Sequence, residues 1–174
     1  MSIGCGHILF DGHGNPARWL TFWPGGTPRD YMFGGGIRIW DFPRLLNGIK
    51  VPICVIGGCH SSLFNVTLLS TVSDRDNSQA TWSHGRPVPE CWSWSLTRKA
   101  HGGAIATLGN TGLGYEAEGD IGDLDGDGID DPDCVEKLGG YQETQFYKLI
   151  AEGEDILGDA WAGATNAYLQ AHPD

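Results

Sequence analysis

Three short apolar runs, each closed by a glycine-rich turn, organise the first two thirds of the chain. Ile8-Leu9-Phe10 ends in Asp11-Gly12-His13-Gly14, Ile53-Cys54-Val55-Ile56 ends in Gly57-Gly58-Cys59, and Ala104-Ile105-Ala106-Thr107-Leu108 ends in Gly109-Asn110-Thr111-Gly112. Runs this short, bounded by glycine and rich in β-branched residues, predict buried strands rather than helices. The second run is apolar without alternation and follows Pro52, as expected of a strand covered on both faces in a parallel sheet. Between the runs the pattern predicts an irregular excursion over residues 15–40 and a short helix from Phe42 to Asn47, capped by Asp41 and stopped at Gly48. It also predicts a helix over Leu63 to Ser70, a loop over 71–90, and a helix from Cys91 to His101 closed by Gly102-Gly103. Towards the end, Gln142 to Ala151 reads as a helix. Leu157, Ala160, Trp161, Ala164, Tyr168 and Leu169 recur at helical spacing as the buried face of a last one. Strands alternating with helices define an α/β fold with a mostly parallel sheet flanked by helices. Its chemistry is expected beyond the carboxyl ends of the strands.

Length and charge narrow this picture. The 174 residues suit one domain over 1–174, and a net charge of −11 argues against nucleic acid as a partner. No apolar run approaches the roughly 20 residues of a membrane span, and the first residues do not read as a signal peptide. The acid is concentrated: from Glu116 to Asp133 there are many carboxylates and no Lys or Arg, which marks an insertion at about 119–136. The five cysteines form no CxxC pair, which argues against a structural zinc site. Cys91 and Cys134 are available to pair in an oxidising compartment. Asn65-Val66-Thr67 is a glycosylation sequon close to Cys59.

The candidate chemistry lies in the turns. His13 and Cys59 both follow strand-like runs, so a parallel sheet would bring them to one edge. A thiol peptidase needs a thiolate, a base and donors for an oxyanion. The two glycines before Cys59, Gly58 among them, let backbone approach a substrate. A helix starting after Cys59 would favour the thiolate through its N-terminus. The backbone N–H groups of Cys59 and Gly14 are the natural oxyanion donors. His60 is a rival base, but neighbouring side chains point apart. Asp11 is a candidate to orient His13.

The ordered segments ILFDGHGNP (Ile8–Pro16), VPICVIGGCHSSLFN (Val51–Asn65), CWSWSLTRKAHGGAIATLGNTGLGY (Cys91–Tyr115) and DILGDAWAGATNAYL (Asp155–Leu169) resemble the gingipain family of cysteine peptidases, within the caspase-like superfamily. The resemblance implies a caspase-like αβα sandwich, protein or peptide substrates, His13 as general base and Cys59 as nucleophile. It implies an S1 wall from the turn around Thr111 to Tyr115, with Trp92 and Trp94 as further aromatic candidates. Glu116 and Glu118 nearby would favour a basic residue before the scissile bond. The superfamily sheet has strands before its His-Gly strand, so a partial domain needing a missing remainder is expected. An extracellular or cell-surface location follows from the relatives.

The acidic insertion reads as a calcium loop. Asp123, Asp125 and Asp127 take alternate positions, a glycine follows at the sixth, Ile129 offers a carbonyl, and Asp131 and Asp133 come next. Cys134 stands where an EF-hand has Glu, so the pattern resembles the loops of dockerins and thrombospondin type 3 repeats, with Glu136 as a further candidate. The implied cofactor is structural Ca²⁺. Two other classes remain open. Gly57-Gly58-Cys59-His60-Ser61 also fits the elbow of an α/β-hydrolase-type thiol hydrolase, with His101 or His172 as base. A non-catalytic calcium-binding interaction module is the other. A metal site from His7, His13, Cys59 and His60 has no recognised ligand spacing.

Overall fold

The computed structural model describes residues 4–21, 36–69 and 88–173. The chain divides into two compact units, Met1–Gly114 and Tyr115–Asp174.

The first unit is built on a parallel sheet in the order β1-β5-β6: β1 (His7–Phe10), β5 (Ile53–Ile56) and β6 (Ala106–Gly109). Leu9, Val55 and Leu108 stand side by side across it. The expectation holds best for β5, whose Cys54, Val55 and Ile56 are buried. Pro52, which has no N–H to give, immediately precedes that strand, and its carbonyl accepts from Ile105 N at 2.9 Å. β1 is less covered than its composition predicts. Leu9 is 47% exposed, because among the described strands β1 lies at the sheet's edge.

Residues 15–40, expected to be irregular, contain a second sheet. β2 (His13–Asn15), β3 (Arg18–Leu20) and β4 (Ile37–Arg38) pair antiparallel, and 22–35 lie outside the described residues. The β2–β3 turn is set by Asn15, whose Oδ1 accepts from Ala17 N at 2.8 Å and Arg18 N at 3.0 Å. The Phe42 to Asn47 helix is instead a 3₁₀ helix over Ile39–Arg44. Asp41 still caps, but from inside, its carboxylate accepting the Arg38 N–H at 2.9 Å.

Residues 63–67 form no helix. Turns run from 59 to 65, and helical backbone begins only at Leu68. The predicted loop over 71–90 lies outside the described residues as far as 87. The Cys91 to His101 helix is shorter, α1 (Trp92–Thr97). It stops because Asn47 captures the chain beyond it, its amide bonding Gly103 N and O at 2.9 Å each. Trp92, offered above as a pocket residue, is fully buried. Phe10 and Phe42 meet it edge-on at 5.2 and 5.0 Å, and its indole N–H donates to Ile37 O at 2.8 Å. It is the centre of this unit's core.

The second unit carries the acidic segment, a short helix α2 (Asp133–Glu136), then α3 (Leu138–Glu152) and α4 (Leu157–Ala171). Gly153, at φ 105°, ends α3 in the left-handed conformation that lets the chain turn back. Phe146, Ala160 and Ala164 are fully buried, with Trp161 against Phe146 at 5.8 Å. Small residues on α4 let it approach α3 closely: a Cβ on Gly163 would fall 2.8 Å from Leu149. Leu169, predicted on the buried face, is 58% exposed. Among the described residues no helix is long and apolar enough to cross a membrane.

Candidate active site

The glycines after β1 and β5 decide the site. Gly57 N donates to Phe10 O at 3.0 Å, which carries the parallel ladder one residue past the strands. The two turns then touch through their backbones. A Cβ on Gly14 would lie 2.8 Å from Gly58 Cα and 2.9 Å from Cys59 O, and one on Gly58 only 2.7 Å from Gly14 Cα. Only two glycines permit that approach. His13, exposed at the start of β2, and Cys59, half-buried, are thereby brought to adjoining chain segments.

A third segment, the turn after β6, is laced to the Cys59 loop. Asn110 Nδ2 donates to Gly57 O at 2.9 Å, Ser62 N to Asn110 O at 2.9 Å and His60 N to Gly112 O at 2.7 Å. At its end Gly114 N donates to Cys59 Sγ at 3.3 Å, and the thiol donates to Gly114 O at 3.4 Å. Helix α1 supports the loop from behind. Ser93 N donates to Ser61 O at 3.0 Å, and the Ser62 and Ser93 hydroxyls meet at 2.7 Å. Sequence reasoning missed Asn110 and Ser93. The Gly109-Asn110 turn was visible, but the partner of its side chain lies 53 residues away.

His60 is buried and holds a left-handed φ of 52°, uncommon for a residue with a side chain. Burial pushes its imidazole below the ordinary 6.5, partly offset by a backbone hydrogen bond with Thr111. Thr111 itself is exposed, as is Asp11. Trp94 is 47% exposed on α1. Tyr115, 66% exposed, opens the second unit with Glu116 and Glu118 behind it. No helix begins at Cys59, so the helix N-terminus expected to favour its thiolate is absent among the described residues, and a strand–nucleophile–helix elbow is not formed.

The acidic segment folds around its own carboxylates. Asp123 accepts from Gly126 N at 2.7 Å and Gly128 N at 2.9 Å, Asp125 from Asp127 N at 3.1 Å and Asp127 from Ile129 N at 2.9 Å. Carboxylate oxygens of Asp123, Asp125 and Glu136 lie within 4.8 Å of one another. Glu136, buried, also accepts from Leu124 N and Asp131 N at 3.0 Å. Asp131 and Asp127 are exposed outside this trio. Asp133 is buried elsewhere, accepting from Ile121 N at 2.8 Å. No disulfide joins Cys91 to Cys134. Cys91 is instead a core thiol, which burial pushes up from its ordinary value.

A parallel α/β sheet with a cysteine and a histidine in the turns beyond adjacent strand ends places both at the edge where such sheets carry their sites. The chain belongs to peptidase family C25, the gingipain family, whose sequence model matches residues 1–173. Membership indicates a cysteine peptidase, with proteins as its substrates. No curated protein and no solved structure gives a significant match.

Proposed function

We propose that the chain is a cysteine endopeptidase working through a His13/Cys59 dyad. The Cys59 sulfur attacks the scissile carbonyl carbon as His13 takes the thiol proton. The carbonyl π electrons move to oxygen, where the Gly14 and Cys59 N–H groups receive the charge. Collapse expels the leaving amine, protonated by His13, and leaves a thioester. Water activated by His13 then releases the acid and restores the thiol. The observation that supports this most directly is the Gly14–Gly58 backbone contact, which draws the His13 and Cys59 segments together.

The finer assignments rest on the same reading. Gly58, Thr111 and Tyr115 would contact substrate, and Glu116 and Glu118 would favour a basic side chain before the scissile bond. A structural Ca²⁺ would be held by Asp123, Asp125 and Glu136, with Asp127, the Ile129 carbonyl and Asp131 available to complete oxygen ligation. Three carboxylates so close repel one another, and a hard cation relieves that repulsion. Asp133 is the poorest fit of the expected ligands, since its carboxylate serves the Ile121 N–H. Such a protein suits the calcium-rich extracellular milieu.

The test is hydrolysis of short Arg, Lys, Asp and Asn amide substrates in excess calcium by wild type, Cys59→Ala and His13→Ala. Loss in both variants, with Arg or Lys substrates preferred, is the expected result. A folded wild type without activity, whose Cys59 alkylates no faster than buried Cys54, would leave the non-catalytic calcium module instead.

A further inference from the structure

The Cys59 sulfur does not stand alone at its strand end. Its nearest hydrogen-bonding partner among those described is neither histidine but Gly114, through both N–H and carbonyl. Whether that amide meets the sulfur depends on how the turn from Asn110 to Gly114 is held, and beside two backbone bonds one side chain of the turn ties it to the Cys59 loop. The Asn110 side-chain amide reaches back to Gly57 O at 2.9 Å, two residues before the sulfur, while the Asn110 backbone carbonyl takes Ser62 N, three residues after it. Gly57 and Ser62 bracket the nucleophile loop, so Asn110 grips that loop at both ends. Gly114 packs on this grip. A Cβ there would collide with the Asn110 amide nitrogen and fall 2.9 Å from Gly57 O.

We infer that Asn110 is a positioning residue for Cys59, acting through the Asn110 to Gly114 turn, whose last residue holds the sulfur through both its N–H and its carbonyl. This rests on the reading of Cys59 as nucleophile. The Gly114 carbonyl takes the thiol proton in the resting state, and the Gly114 N–H stays on the sulfur once that proton has left. Such a donor matters more here because, among the described residues, no helix N-terminus stands behind Cys59. The same turn bears Thr111, so a group that sets the turn would tie the substrate side of the site to the sulfur.

Three variants of the full chain test this, each read by kcat and KM on a peptide amide and by site-resolved alkylation of Cys59 with iodoacetamide at neutral pH. Iodoacetamide needs no substrate pocket, so its rate reports the sulfur alone. Asn110→Ala is expected to lower kcat and the Cys59 alkylation rate together, each about tenfold, the worth of one hydrogen bond, with KM little changed. Asn110→Asp keeps the shape but turns an acceptor towards Gly57 O, and is expected to do at least as badly. Gly114→Ala displaces the Asn110 amide from the other side. Asn110→Ala added to it is expected to cost little more, a coupling that unrelated sites do not give. A wild-type kcat in Asn110→Asp would reduce Asn110 to a space-filler. A rise in KM alone, with alkylation unchanged, would leave the turn as substrate wall only. A lowered melting temperature with unchanged alkylation in the folded protein would make it merely structural. Any of these overturns the inference. Full peptidase activity in Cys59→Ala would instead sink the nucleophile reading itself, while alkylation would still report what Asn110 does to that sulfur.

Discussion

Adding one methyl group at Gly14 is the sharpest probe of how this site is assembled. The Cβ of Gly14→Ala would lie 2.8 Å from both Cα and carbonyl carbon of Gly58 and 2.9 Å from Cys59 O. Carbon atoms rest about 3.5–4.0 Å apart, so the two turns must open by about 0.7 Å or more. Every atom in the way is backbone, and no side-chain rotation relieves the clash. Overpacking of this kind costs about 1–3 kcal/mol of stability. A displacement approaching 1 Å between reacting groups costs about 10²-fold in rate. The N–H of residue 14 survives the substitution, so the loss measures separation of the two segments and not removal of an oxyanion donor. The expected result is kcat/KM down about 10²-fold in a folded protein, with a modest fall in unfolding midpoint. Gly58→Ala, whose Cβ would lie 2.7 Å from Gly14 Cα, is expected to behave alike, and the double variant to cost less than both together. Gly6→Ala, whose Cβ would meet nothing within 4 Å, is the control and is expected to change neither quantity. A folded Gly14→Ala with wild-type kcat/KM would refute the idea that the glycine contact joins base to nucleophile.

Three further outcomes are expected. Burial, and then the nearby Cys5, push the Cys54 thiol from 9.0 up to about 12. The folded state therefore favours the neutral thiol, and stability is full below about pH 9 and lost as pH rises from there towards 12. Urea unfolding is expected to lose about 1 kcal/mol between pH 9 and 10 from this group. That part of the slope vanishes in Cys54→Ala, and an unchanged slope would contradict it. His60 runs the other way. Its lowered imidazole contributes stability that is present above about pH 6.5 and lost as pH falls through its folded-state value. His60→Asn, which tolerates φ 52°, is expected to flatten the decline between pH 7 and 5, and a profile parallel to wild type would exclude His60 as its source. Calcium at a hundred times its dissociation constant is expected to add about 2.7 kcal/mol to unfolding stability. Glu136→Gln is expected to abolish most of that gain, and a thermal shift equal to wild type would remove Glu136 from the cation site.

Much of the framework around the candidate site was legible because its signals are local. A β-branched run after Pro52 that stops at Gly57-Gly58-Cys59 announces a strand and its exit without reference to anything distant, and the same holds for Ile8 to Gly14. Errors fell where the deciding partner is far along the chain. Residues 15–40 read as irregular because β4 pairs with β3 across the 22–35 segment, a pairing that no short window shows. Helix α1 ends early because Asn47, 56 residues before Gly103, takes the backbone groups beyond it. Trp92, attractive as a pocket aromatic, became the core once Phe10 and Phe42 closed on it. Glu136 joined the acidic trio because α2 folds back onto the loop, whereas Asp133, nearer in sequence, was drawn to Ile121.

By itself, then, the chain's pattern determined the α/β class, the parallel strands and the glycine turns that carry His13 and Cys59. Strand propensity, proline and glycine act over a few residues and need no partner to be read. Only the tertiary structure decided that Gly14 and Gly58 touch, that Asn110 grips both ends of the nucleophile loop, and that a Gly114 amide meets the Cys59 sulfur. Each of those contacts joins segments some 40 to 55 residues apart, and their geometry exists only once the sheet has set the registers of β1, β5 and β6.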